Sequence, residues 1–188
     1  FLFSDFAADA SAAGLRYLCD TDPRTLFPST YGPAVDQALA PIEDGLELEQ
    51  WLDFVTNRNF RQSLLCRADA PLPEEIAIDL ERFAGLALRA DLRPVAKPEL
   101  RRVKDSPFVT AAGKRLTIGQ PLTKALVLEL GARFPASLPL AEVLAAAMRQ
   151  VEAAGGGALA QDLDASLAEL FSLFAHNALG ARPTPRHL

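Results

Sequence analysis

Apolar residues near the start of the chain recur at steps of three and four, so that Phe3, Phe6, Ala10, Ala13 and Tyr17 share one face of a helix expected over residues 2–18. Residues 21–33 break this pattern with Pro23, Pro28, Gly32 and Pro33 and read as a loop, after which a short helix is expected over Pro33–Leu39. A second amphipathic helix is expected from Leu46 to Asn57, with Leu48, Trp51, Leu52 and Val55 as its apolar stripe. The period then switches to two. Phe60, Gln62, Leu64 and Cys66 fall on one face of an expected strand, and Arg61, Ser63 and Leu65 on the other. Short strands follow at Gly85–Arg89, Pro107–Thr110 and Arg115–Ile118, the last two joined by the hairpin loop Ala111–Lys114.

The remainder is helical. Pro121 opens a helix lined by Leu122, Leu126 and Leu130 and closed before Pro135. A second helix carries Leu140, Val143, Leu144, Ala147 and Val151 inward, and Gly155–Gly157 then reads as a flexible link. Asp162 or Asp164 can cap the third helix, whose stripe is Leu163, Leu167, Leu170, Phe171 and Phe174. An extended tail is expected around 181–185. Between Arg89 and Pro107, Pro94 and Pro98 alternate with Arg89, Arg93, Lys97, Arg101, Arg102 and Lys104; this segment reads as a solvated linker in preference to a functional basic patch. The expected fold class is α+β. Residues 1–104 form a helical part with a small mixed sheet, and 105–188 a winged-helix-like subdomain.

Composition narrows the function. The 188 residues are 49% hydrophobic and 23% charged, ordinary for a globular protein, and no apolar run reaches membrane-spanning length. No basic region followed by an apolar one opens the chain, so no signal peptide, no membrane partner and a cytoplasmic setting are expected. A net charge of −5 argues against a nucleic-acid partner. A winged-helix DNA-binding regulator is the alternative function, but residues 161–179 hold Asp162, Asp164 and Glu169 and no Lys or Arg. Cys19 and Cys66 lie in apolar segments and lack the close pairing that zinc requires. His176 ends a helix, where an imidazole satisfies terminal carbonyls or faces solvent, and His187 sits in the tail, so neither suits nucleophilic catalysis. Asp20 with Asp22, and Asp162 with Asp164, are read as helix-end carboxylates. Gly155–Gly157 follows a helix, which is the wrong context for a phosphate loop.

Gln50, Asp53 and Asn57 occupy i, i+3 and i+7 positions opposite the apolar stripe of their helix. Arg58 and Arg61 follow at the junction with the strand, ahead of Gln62, and pairing of Asp53 with either arginine would fix how helix meets strand. The segment Glu49–Cys66, EQWLDFVTNRNFRQSLLC, resembles the E-Q-Y-x-D-F-x-x-N-R-x-F-R-x-(S/T)-L-L-C signature of the methyltransferase regulatory domain family, with Trp51 at the usual Tyr position. Gly14-Leu15-x-Tyr17-Leu18, Leu92-Arg93-Pro94-Val95 and Pro121-Leu122-x-Lys124-Ala125 extend the resemblance along most of the chain. The resemblance implies a non-catalytic regulatory or substrate-positioning module acting through protein contacts. Its partner would be a class I methyltransferase domain, in the same polypeptide or a neighbouring gene product, with a protein substrate as a further contact. It transfers no catalytic, cofactor-binding or metal residue. AdoMet is expected in that partner domain and no cofactor in this chain, which lacks a glycine-rich turn after a buried strand. Gln50, Asp53, Asn57, Arg58, Arg61 and Gln62 are the structural or interaction candidates.

Overall fold

The first helix stops early because of Gly14. Helix α1 spans Phe3–Ala12, Gly14 takes a φ of +74°, and its N–H donates to the Ser11 carbonyl at 3.0 Å. That left-handed conformation is open to glycine and terminates helices readily. The chain therefore enters strand β1 at Leu15–Asp20, and Tyr17 and Leu18, expected on the helix, are strand residues. In the computed structural model, which describes residues 2–22, 25–71 and 79–184, the chain divides into two units, Phe1–Ile76 and Ala77–Leu188. Pro23, Pro185 and His187 lie outside the described residues.

The first unit continues with a 3₁₀ turn at Pro28–Tyr31, helix α2 (Pro33–Leu39), helix α3 (Gly45–Thr56) and strand β2 (Ser63–Arg67). Asp44 caps α3 by accepting from the Glu47 N–H at 2.8 Å, and Asn57 ends it in the left-handed region. The excursion from β1 returns to its own starting point, since the Thr21 N–H donates to the Gln62 carbonyl at 2.9 Å. Strand β2 thus begins where β1 ended and must run antiparallel to it, with a bulge between Tyr17 and Cys19. The small sheet expected as mixed is antiparallel.

The second unit comprises α4 (Leu80–Ala84), β3 (Ala87–Ala90), β4 (Leu92–Pro94), β5 (Ser106–Thr110), β6 (Arg115–Ile118), α5 (Pro121–Ala132), β7 (Leu138–Pro139), α6 (Leu140–Ala153), a 3₁₀ turn at Gly157–Gln161, α7 (Leu163–Ala175) and β8 (Leu179–Arg182). Two antiparallel sheets form, in the orders β7-β3-β8 and β4-β5-β6. Helix α5 is buried almost all round, from Pro121 to Val127 and at Leu130, and packs on α6, α7, β3 and β4. Phe83 of α4 meets Phe171 and Phe174 of α7 with ring centroids 5.4 and 5.7 Å apart. The division expected at residue 104 falls inside this unit, because Leu92–Pro94 pairs with Phe108–Thr110. The charged composition of 89–107 suggested a linker, but strand β4 lies within it and the end of β3 and the start of β5 overlap it. The α+β class stands.

The glycine run also departs from expectation. Gly155 takes a φ of +87°, but Gly156 is packed so closely that a Cβ would come within 2.5 Å of the Leu100 carbonyl oxygen. This is a close approach of two segments.

Candidate functional site

Asp53 lies on the inner side of α3, one turn after Glu49, and the chain leaves the helix directly into Arg58 and Arg61. Both arginines fold back over that face. The Arg61 guanidinium donates through Nε to Asp53 Oδ2 at 2.8 Å, through one terminal nitrogen to Glu49 Oε2 at 2.9 Å, and through the other to the Glu49 backbone carbonyl at 2.7 Å. Its Cζ lies 3.8 Å from the ring centroid of Phe3, a cation–π contact that caps the guanidinium plane. Arg58 approaches Asp53 Oδ1 and Asp20 Oδ2, each at 3.3 Å, and reaches the Thr25 carbonyl at 3.5 Å. None of the side chains of Asp20, Glu49, Asp53, Arg58 and Arg61 exceeds 13% exposure.

Three carboxylates thus surround two guanidiniums in a largely buried cluster. Burial pushes the Glu49 carboxyl up against the pull of Arg61 and Arg58, while the Tyr17 hydroxyl hydrogen-bonds it. Burial likewise raises Tyr17, reinforced by the Glu49 charge, and raises the Cys19 thiol, reinforced by Asp20. For Arg61, burial pulls downward, but the bonds it donates to Asp53 and Glu49, with their charges, outweigh it and hold the guanidinium above its ordinary range. The chemistry is that of a structural lock, in which each charge faces another.

The expected residues divide. Asp53, Arg58 and Arg61 are in the lock. Gln50 instead accepts from the Ser4 N–H at 3.1 Å, satisfying a free donor in the first turn of α1. Asn57 is the exposed left-handed cap, and Gln62 accepts from the Thr21 hydroxyl at 3.0 Å. Asp20, Glu49 and Tyr17 were not among the expected site residues. The signal for Glu49 was its spacing of four from Asp53 beside two arginines; Asp20 and Tyr17 arrive through sheet pairing.

The lock also sets how α3 rotates. Leu52 is fully buried, but Trp51, Phe54 and Val55 are 45%, 55% and 47% exposed, so the expected stripe is only partly the packed face. Phe60, expected on a strand face, precedes β2 and is 91% exposed. Together with Phe3, Phe6, Asn59 and Ser63, it borders a hollow of about 390 Å³ beside Asp53 and the two arginines.

In the second unit, His176 Nδ1 lies 2.8 Å from the Ser172 carbonyl, the helix-end role expected for it. Asp162 caps α7 through the Ala165 N–H at 3.4 Å. Glu169 has an unforeseen role: it accepts from the N–H groups of Gly119 and Gln120 at 2.6 and 3.0 Å, capping the start of α5. No group of three or more metal-ligating side chains occurs among the described residues.

Residues 1–67 match the model of the family described as a predicted methyltransferase regulatory domain, so the resemblance carried by Glu49–Cys66 holds for this segment. Among curated proteins, the uncharacterized protein RP789 of Rickettsia prowazekii (strain Madrid E) is 35% identical over 79 residues, which are 42% of this chain and 14% of that protein. Two solved structures of PKMT2 from Rickettsia typhi, one of them in complex with AdoHcy, share the fold over 99% of this chain, each with a TM-score of 0.77 at 23% identity. This chain corresponds to 36% of the PKMT2 chain.

Proposed function

We propose that this chain is a non-catalytic regulatory or substrate-positioning portion of an AdoMet-dependent methyltransferase, acting through protein–protein or interdomain contacts. The observation that carries the reading is the match of residues 1–67 to the methyltransferase regulatory domain family. The fold likeness to PKMT2, a chain of which this one spans little more than a third, supports it. Every sheet among the described residues is antiparallel, whereas nucleotide-type cofactor sites of α/β proteins sit at the strand ends of a parallel sheet, beside a glycine-rich turn. The glycine run here follows helix α6 instead.

On this reading AdoMet is held by a class I methyltransferase domain in the same polypeptide or a neighbouring gene product, and a protein substrate is the other contact. The exposed Trp51, Phe54, Val55 and Phe60 supply apolar surface suited to such contacts. In the second unit, the β5–β6 hairpin with α5, α6, α7 and the extended end at β8 is read as a winged-helix-like arrangement used for protein interaction. Nucleic acid is not proposed as a partner, since α7 carries only acidic charges.

Calorimetric titration of AdoMet into this chain tests the non-catalytic assignment. No heat of binding is expected, and tight binding would overturn it. In the methyltransferase that contains or accompanies this chain, W51E/F54E is expected to lower methyl transfer at least severalfold while leaving this chain's melting temperature unchanged. Full activity with an intact fold would sink the contact role.

A further inference from the structure

The segment between β4 and β5, residues 95–105, is held from beneath. Lys124 of α5 is 0% exposed, and its ammonium donates to the Glu99 carbonyl at 2.8 Å and the Lys104 carbonyl at 2.6 Å. The Lys104 N–H donates to the Gly119 carbonyl at 3.2 Å, the Val95 N–H to the Pro107 carbonyl at 3.0 Å, and the Glu99 N–H to Ser106 Oγ at 3.3 Å. Gly156 lets the Leu100 carbonyl approach α6. Burying a lysine is costly, and a solvated connector needs no such anchor. Yet Val95, Lys97, Arg101, Arg102, Val103 and Lys104 all stay exposed on the loop it shapes.

Charge on this loop is opposite to that of the chain. Across residues 95–105 four cations stand against two carboxylates, Glu99 and Asp105, in a protein of net charge −5. Glu99 is turned into the loop, accepting from the Arg101 N–H at 2.9 Å and lying 3.9 Å from Arg102 Nε. The side chains of Lys97, Arg101 and Lys104 form no ion pair within 4 Å among the described residues, although the Glu99 charge acts on Arg101 and Lys104 from farther off. Glu99, Arg101, Arg102 and Gly155 line a hollow of about 340 Å³.

We propose that this loop is a preformed docking surface for an acidic polypeptide segment, whose carboxylates meet Arg101, Arg102 and Lys104 while its apolar side chains rest on Val95 and Val103. One feature favours a peptide over nucleic acid: the exposed Val95 and Val103 can pack on the apolar side chains of a peptide but offer nothing to a phosphate backbone. An ordered basic platform also lowers the entropy lost when a segment docks. The inference is independent of the methyltransferase reading.

Fluorescence anisotropy with a fluorescein-labelled, glutamate-rich peptide containing leucines tests it on the whole chain. Binding that weakens as salt rises is expected. R101E/R102E is expected to weaken it by roughly tenfold or more. R82E/R115E makes the same change in net charge at exposed positions outside the loop and is expected to stay within about twofold of wild type. Absence of binding at low salt, an equal loss in both double variants, or tighter binding of a labelled oligonucleotide of matched charge would each overturn the proposal.

Discussion

Arg61 touches Asp53, Glu49 twice, and the face of Phe3 with a single planar group, so the compact ammonium of a lysine cannot replace it. Arg61→Ala leaves buried carboxylates short of a partner and is expected to cost about 3–5 kcal/mol. Urea denaturation followed in the first unit should show the loss, and Arg61→Lys should recover little of it; an unchanged midpoint for Arg61→Ala refutes the lock. Glu49 gives a pH test. Its carboxyl is raised above its ordinary value near 4.5, so above that pH the folded chain holds more proton than the unfolded one, and stability falls as pH rises through the raised value. Glu49→Gln removes this fall. The stability of the variant relative to wild type should therefore rise with pH above 4.5, and a flat difference across that window contradicts the assignment. Asp53, Arg58 and Arg61 were legible because they are close in sequence on a helix and its exit. Asp20 and Tyr17 were not, because their place in the lock comes from the pairing of β1 with β2.

At the scale of elements, most helices followed from apolar spacing, and the hairpin of β5 and β6 from its turn residues, with Gly113 at a φ of +80°. The error at α1 was local. Gly14 ends the helix, while Tyr17 matches either period, helical from Phe3 or alternating along β1. The rotation of α3 was a different kind of miss: periodicity defines an apolar face, but the paired charges of Glu49 and Asp53 decided which side turned inward. Lys124 shows the same competition, as a charge buried on an apolar helix because two carbonyls of the 95–105 loop receive it. Lys124→Met leaves those carbonyls unpaired and is expected to cost about 1–3 kcal/mol per group, with faster hydrogen exchange at Lys104 and Val95. Unchanged exchange at both amides would show that the loop does not depend on Lys124. Gly156→Ala forces a methyl against Leu100 and Val151 and should lower stability by about 1–3 kcal/mol in thermal unfolding.

Across the whole molecule, the two units differ in how they are built. Among the described residues of Phe1–Ile76 the buried apolar ones are Phe3, Ala10, Leu39 and Leu52, while Trp51, Phe54, Val55, Phe60 and Leu64 face outward. The second unit buries a continuous cluster from Phe83 to Leu179. Residues 77–188 expressed alone are therefore expected to unfold cooperatively, and residues 1–76 alone at a lower urea midpoint or without a cooperative transition. An equal or higher midpoint for 1–76 would mean that its charged lock stabilises as well as an apolar core. By itself the sequence determined the α+β class, most helix positions, a pairing of Asp53 with one of Arg58 and Arg61, and the family resemblance of residues 49–66, because these rest on residues near one another in the chain. Only tertiary structure decided the unit boundary, the antiparallel return of β2, the inward face of α3 and the anchoring of 95–105 on Lys124. Each of those depends on which distant groups meet, and local periodicity carries no record of such meetings.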